Sequence, residues 1–179
     1  ETVDNKLSGL QKSQLILLAA RPAMGKTALG LTIAWNACKA DKSVAFFSLE
    51  MSTYQLNQRL LSMVSMVNLE NIISGSIRDE DWQLLIHATK EITSKDIYVD
   101  ETPGITLSEM RSKLKKLKAE SGLDLVVIDY LQLMQADGRQ ENRQNEIASI
   151  SRGLKSLSKE LNCPILSLAQ LSREADKRA

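Results

Sequence analysis

Five short apolar runs recur along the chain: LILLAA at 15–20, SVAFFS at 43–48, DIYV at 96–99, LVVI at 125–128 and PILSLA at 164–169. None alternates cleanly between apolar and polar positions. A strand with one wet face must alternate, because successive side chains point to opposite sides. Unbroken runs instead predict strands covered on both faces, as in a parallel sheet. The longer segments between them carry apolar residues at helical spacing. This pattern predicts helices over 26–39, 52–67, 79–93, 106–119 and 142–161. Two of them open on a capping box, Ser52-x-x-Gln55 and Thr106-x-x-Glu109, where side chain and backbone satisfy each other's donors. The helix over 79–93 carries Trp82, Leu85 and Ile86 on one face. The helix over 142–161 carries a stripe of Ile147, Ile150, Leu154, Leu157 and Leu161. Strands alternating with helices imply an α/β domain, with a mostly parallel central sheet, helices on both faces and right-handed crossovers. One such domain accounts for residues 1–179, and neither repeats nor low-complexity tracts interrupt it.

Composition narrows the function classes. At 43% hydrophobic and 25% charged residues the chain is an ordinary globular domain. Lys+Arg number 23 and Asp+Glu 22, so a nucleic-acid partner would have to meet a local basic surface. Cys38 and Cys163 stand alone, and His87 is the single histidine. That excludes a disulfide framework or a zinc site and fits a reducing cytoplasm. The apolar runs are too short to span a bilayer, and no signal peptide opens the sequence. The chain begins and ends in polar sequence, as expected of a piece of something longer.

The stretch ARPAMGKTALG at 20–30 carries the first candidate chemistry. Gly25-Lys26-Thr27 ends like a phosphate-binding loop, although Ala20 stands where the pattern has glycine. Gly-Lys-Thr or Gly-Lys-Ser arises by chance in roughly one chain in ten of this length, so its setting decides. Here a buried strand runs into the loop and a helix leaves it. Loop and helix N–H groups can then surround an anion. Gly25 lets the backbone approach the phosphates, Lys26 reaches them, and the Thr27 hydroxyl coordinates Mg²⁺. Arg21, Pro22, Ala23, Met24 and Ala28 complete the expected binding loop. Alanine at position 20 is tolerable if the turn keeps φ negative.

In an open parallel sheet, ligands bind beyond the carboxyl ends of the strands. The second run leads to Glu50, the fourth to Asp129 and the fifth to Gln170. Asp129 follows four apolar residues, the Walker B form, and would hold Mg²⁺, in part through water. Glu50 is the candidate general base for an attacking water. Gln170 could contact the γ-phosphate and report its loss. Each alone could be a solvated strand cap; together with the loop they point to nucleotide hydrolysis. The residues leave three readings open: a motor ATPase, a small-molecule P-loop kinase, and a RecA-like recombinase that uses ATP for assembly. Other features invite plainer readings. The basic run RSKLKKLK at 111–118 is expected to be a solvated helix face, and Met51, Met63 and Met66 to be packing.

The segments AARPAMGKTALGLTIA at 19–34, FFSLEMS at 46–52, ISGSIRDEDW at 73–82, VIDYLQLM at 127–134, NRQNEIASISRGLKSLSKELNCPI at 142–165 and LAQLSRE at 168–174 closely resemble the ATPase domain of DnaB-type replicative DNA helicases. The resemblance spans essentially the whole chain. In that family Ala-Arg-Pro at the loop is a common trait. The resemblance implies a RecA-like fold and a homo-hexamer that moves along single-stranded DNA and separates the duplex, with ATP between subunits. It implies Lys26 and Thr27 on phosphate and Mg²⁺, Glu50 activating water, Asp129 as the Walker B acid and Gln170 as the coupling glutamine. It turns the loop over 135–142 toward the central channel, with Arg139 and Arg143 near DNA, where a polar loop would otherwise be a solvated connection. It also implies a primase, a helicase loader and a bacterial or phage origin. The family's arginine finger, main DNA-contacting loop and primase-binding domain would lie outside these residues, so the C-terminal part of the RecA-like domain is expected to be missing.

Overall fold

The computed structural model describes residues 9–138 and 142–171. Its centre is a five-stranded sheet in the order β1-β5-β4-β2-β3. The strands are β1 (Leu15–Ala20), β2 (Val44–Ser48), β3 (Ile97–Asp100), β4 (Leu125–Asp129) and β5 (Ile165–Gln170). Every pairing is parallel, as the unbroken apolar runs predict. β2 and β4 are buried along their full length. Their side chains alternate between two cores. Val44, Phe46, Leu125 and Val127 meet Leu31, Trp35, Leu56 and Leu60 on one face. Ala45, Phe47, Val126 and Ile128 meet Met110, Leu114, Leu154 and Leu157 on the other.

Helices α1 (Lys26–Lys39), α2 (Thr53–Ser65), α3 (Leu69–Ser74) and α4 (Asp79–Thr93) lie between β1 and β3 in the chain. Helices α5 (Leu107–Ser121) and α6 (Arg143–Glu160) follow β3 and β4. Both capping boxes form: Ser52 caps α2 with Gln55, and Thr106 caps α5 with Glu109. α2 stops at Met66, which takes a left-handed φ of 61°. Met66 is 86% exposed, so it does not pack as expected, whereas Met63 lies against the first core.

Two sequence patterns do not translate directly into burial. α4 buries Asp81, Leu85 and Ala88, while Trp82 and Ile86 are exposed. The stripe is rotated because Arg78 grips Asp81, with Nε donating to Oδ2 at 2.9 Å and the guanidinium NH2 to Oδ1 at 3.1 Å. That pairing lets a carboxylate lie inside at modest cost. The second is a correction and concerns β1. It is an edge strand, and its Leu17 and Ala19 are exposed, so only the face carrying Ile16 and Leu18 is packed along its length. The basic run on α5 is neutralised locally: Arg111 and Lys115 pair with Glu160 at 3.2 and 2.5 Å, and Lys113 with Asp100 at 2.5 Å.

Candidate functional site

β1 lies at one end of the sheet, and β2 lies three strands away. The connection through α1 runs from β1 toward β2 over one face, while that through α6 runs from β4 back toward β1 over the other, which opens a crevice at the carboxyl ends. A cleft of about 490 Å³ occupies this place, lined by Arg21, Pro22, Ala23, Gly25, Lys26, Thr27, Ala28, Glu50, Met51, Gln55, Arg59 and Gln170. The sequence candidates from the loop, the second strand and the fifth thus meet in one site. Met24 does not line it and is 72% exposed.

Ala20 is the last residue of β1, paired with Gln170. It is not among the residues with positive φ, so alanine is tolerated there. The loop takes a left-handed backbone at two places, Ala23 with φ 61° and Gly25 with φ 76°, and Gly25 caps α1 with no side-chain hydrogen bond. A Cβ at Gly25 would meet no atom within 4 Å. Leu29 N–H is the first to bond back, to Gly25 O at 2.9 Å. The N–H groups of Lys26, Thr27 and Ala28 therefore remain as helix-start donors beside the cleft, with the positive end of the helix dipole behind them.

Asp129 closes the floor. It is 1% exposed and ends β4 opposite Ser48. Thr27 Oγ1 donates to its Oδ2 at 2.5 Å, and Lys26 Nζ lies 3.5 Å from its Oδ1. Oδ1 is buried with no hydrogen bond. Lys26 also sits 3.9 Å above the ring centre of Tyr130, a cation–π contact that holds the ammonium between ring and carboxylate. Burial raises the Tyr130 pKa, and the charges of Glu50 and Asp129 raise it further, so the phenol stays protonated at neutral pH. A hydroxyl, a buried carboxylate with a spare oxygen and a cradle of N–H groups can together bind a phosphate chain and a hard divalent cation. Among the described residues no three His, Cys, Asp or Glu cluster as a metal site. Mg²⁺ does not need one, since it shares its shell with water and phosphate.

Glu50 projects from the loop after β2. That loop is anchored where Leu49 N–H bonds Asp129 O at 2.8 Å and Ser48 Oγ donates to Met51 O at 2.7 Å. Its carboxylate is exposed to the cleft. Gln170 is held by Gln132, whose amide bonds both its backbone groups. Arg143 does not project freely. Its guanidinium donates to Gln132 O, to Met134 O and to Glu146, and Glu146 in turn accepts from Ala136 N–H at 3.1 Å. Arg143 thereby lowers the Glu146 pKa, with the Ala136 bond adding to it. Arg139 lies outside the described residues. Sequence reasoning missed Tyr130, Gln132, Gln55 and Arg59. The last two were findable, because Gln55 and Arg59 stand one helical turn apart on the helix that starts just after Glu50. Tyr130 and Gln132 act across the chain and leave no local signal.

The family described as DnaB-like helicase C terminal domain matches residues 1–179. Replicative DNA helicase DnaC of Bacillus subtilis (strain 168) is 48% identical over 178 residues, covering 98% of this chain and 39% of that relative. Replicative DNA helicase DnaB of Geobacillus stearothermophilus gives the same 48% over 98% of this chain and 39% of its own length. The chain thus spans about two-fifths of the length of these relatives. A solved structure of a DnaB-like replicative helicase, described with its interactions with primase, matches at a TM-score of 0.93 and 34% identity over 99% of this chain and 43% of that one. A second solved structure, described as an ATPase domain, also reaches a TM-score of 0.93 at 34% identity, over 99% of this chain and 64% of that one.

Proposed function

We infer that this chain, which belongs to the DnaB-like helicase C-terminal domain family, is the ATP-hydrolysing motor of a replicative DNA helicase. Its fold is the RecA-like α/β fold of that family. One observation carries the reading: Lys26, Thr27, Glu50 and Gln170 line a single cleft at the carboxyl ends of the strands, over a buried Asp129. The 48% identity to a replicative helicase over 98% of the chain favours this reading over a small-molecule kinase or a recombinase.

In the proposed reaction, the N–H groups of residues 25–28 and the Lys26 ammonium hold the β- and γ-phosphates of ATP. Thr27 and Asp129 fit Mg²⁺, because Asp129 Oδ1 is buried with no hydrogen bond, facing the Lys26 ammonium at 3.5 Å, and the Thr27 hydroxyl lies against the same carboxylate. Held by Thr27 and Asp129, the ion would offset the negative charge of the phosphates. Glu50 orients a water and takes its proton as the water oxygen bonds the γ-phosphorus and the bond to ADP breaks. Gln170 senses whether the γ-phosphate is present. The loop over 135–142 faces single-stranded DNA, with Arg139 on it and Arg143 holding its base. The assembly is a homo-hexamer in the bacterial or phage-infected cytoplasm, meeting primase and a loader through other parts of the protein. Among the described residues no helix is long and apolar enough to cross a membrane.

The test is Glu50→Gln in the full-length protein, on forked DNA with and without ATP. The near-isosteric change keeps nucleotide affinity and lowers turnover by about 10²–10⁴, the usual worth of a general base. Unwinding falls with it. Near-normal hydrolysis would remove Glu50 from this role, and no ATP-dependent unwinding by the unaltered protein would sink the helicase reading.

A further inference from the structure

The carboxyl end of β5 is supported unequally. On one side Gln170 pairs with Ala20 of β1, and the following Leu171 N–H bonds Ala20 O at 3.1 Å. On the other side β4 has already left the ladder, since its last pair with β5 is Ile128 with Ser167. Gln170 would then have an N–H and a C=O with no strand beside them. The side chain of Gln132, from the turn after β4, fills that place. Its Nε2 donates to Gln170 O at 3.0 Å, and its Oε1 accepts from Gln170 N–H at 3.2 Å. An amide side chain with one donor and one acceptor reproduces what a neighbouring peptide would offer.

Gln132 is also held at its other end. Its backbone carbonyl accepts from Arg143, the first residue of α6, and the same guanidinium grips Met134 O and Glu146. Glu146 holds Ala136 N–H. A continuous set of bonds thus runs from the backbone of Gln170 through Gln132 to Arg143 at the start of α6 and, by way of Glu146, to Ala136. Any shift of Gln170 along its strand direction must break the Gln132 pair or carry the turn at 131–134 with it.

We propose that Gln132 is a positioning residue that ties Gln170 to Ala136 and to Arg143 at the start of α6, so that the nucleotide state read by Gln170 and the placement of these two flanks change together. The proposal rests on the reading of Gln170 as the γ-phosphate sensor. Gln132 does not line the nucleotide cleft, so its loss leaves ATP binding in place and uncouples hydrolysis from DNA.

The experiment uses the full-length protein with Gln132→Ala, Gln132→Glu and Gln170→Ala. It measures ATP turnover with and without a thymidine oligonucleotide, and the KM for ATP. Gln132→Ala should keep KM within about two-fold and cut the ratio of DNA-stimulated to basal turnover by roughly five-fold or more, the lower end of typical site-to-site coupling. Gln132→Glu keeps the shape and the acceptor for Gln170 N–H but cannot donate to Gln170 O, so it folds as the parent does and lowers the same ratio to an intermediate value. Combining Gln132→Ala with Gln170→Ala should add nothing to Gln170→Ala alone. If both Gln132 variants keep the parental ratio, or lose basal and stimulated turnover in equal proportion, the coupling role is wrong. If Gln170→Ala itself keeps full stimulation, the sensor reading fails first, independently of Gln132.

Discussion

Gly25→Ala tests the phosphate cradle directly, because the structure provides its own control. Gly25 sits at φ 76° and ψ 22°, and Gly75, at the end of α3, sits at φ 74° and ψ 10°. At both, a Cβ would meet no atom within 4 Å. The cost of alanine at each is therefore the left-handed backbone alone, about 1–2 kcal/mol. For a protein of this size that lowers Tm by roughly 2–8 °C. The two variants should melt alike. They should differ in nucleotide affinity, because Gly25 lines the cleft and Gly75 does not. A methyl group where the phosphate must approach the backbone should weaken ATP binding by at least about ten-fold, or 1.4 kcal/mol. Calorimetric titration of ATP into each variant, with thermal melts alongside, reads both quantities. If Gly25→Ala binds ATP as tightly as Gly75→Ala, the loop is not the phosphate site.

Two further outcomes are expected. Arg59 lines the cleft one helical turn beyond Gln55, and Arg59→Ala should raise the KM for ATP by about three- to ten-fold, as for a lost charge-assisted contact with phosphate; an unchanged KM would remove Arg59 from the site. Burial pushes the Cys163 thiol from near 9 to about 12 and the Cys38 thiol, with the charge of Asp96 adding, to about 11. Since the folded state holds these protons more tightly, its stability is full below pH 9 and declines as pH rises through 11–12. At pH 8 both thiols should resist a disulfide reagent until the protein unfolds, and prompt labelling of the native protein would contradict their burial.

The strands were legible because a buried parallel strand needs an unbroken apolar run, and these runs end where the strands do within a residue. The polar residue after each run then indicates the site: Glu50 and Gln170 line one cleft and Asp129 lies beneath it, because parallel strands send all their carboxyl ends the same way. What the apolar pattern does not carry depends on particular side-chain partners, near or far in sequence, and on element length. The inward face of α4 does not follow the apolar pattern because Asp81 looks like a surface residue until Arg78 is seen gripping it. Helix α3 went unnoticed because six residues carry little periodicity. Tyr130 under Lys26, and Gln132 against Gln170, are contacts that only the closed sheet creates.

The two edges of the sheet differ in how they would behave toward another molecule. β3 is four residues long, and its Asp100 pairs with Lys113; a short, charged border discourages further strands. β1 presents LILLAA with no charge and exposes Leu17. Among the described residues no strand pairs with the outer row of N–H and C=O groups of β1, and such a row is a template for β-pairing between molecules. The 179-residue chain, prepared alone, should therefore self-associate as its concentration rises, and a Leu17→Lys change should delay the onset of turbidity without touching the cleft.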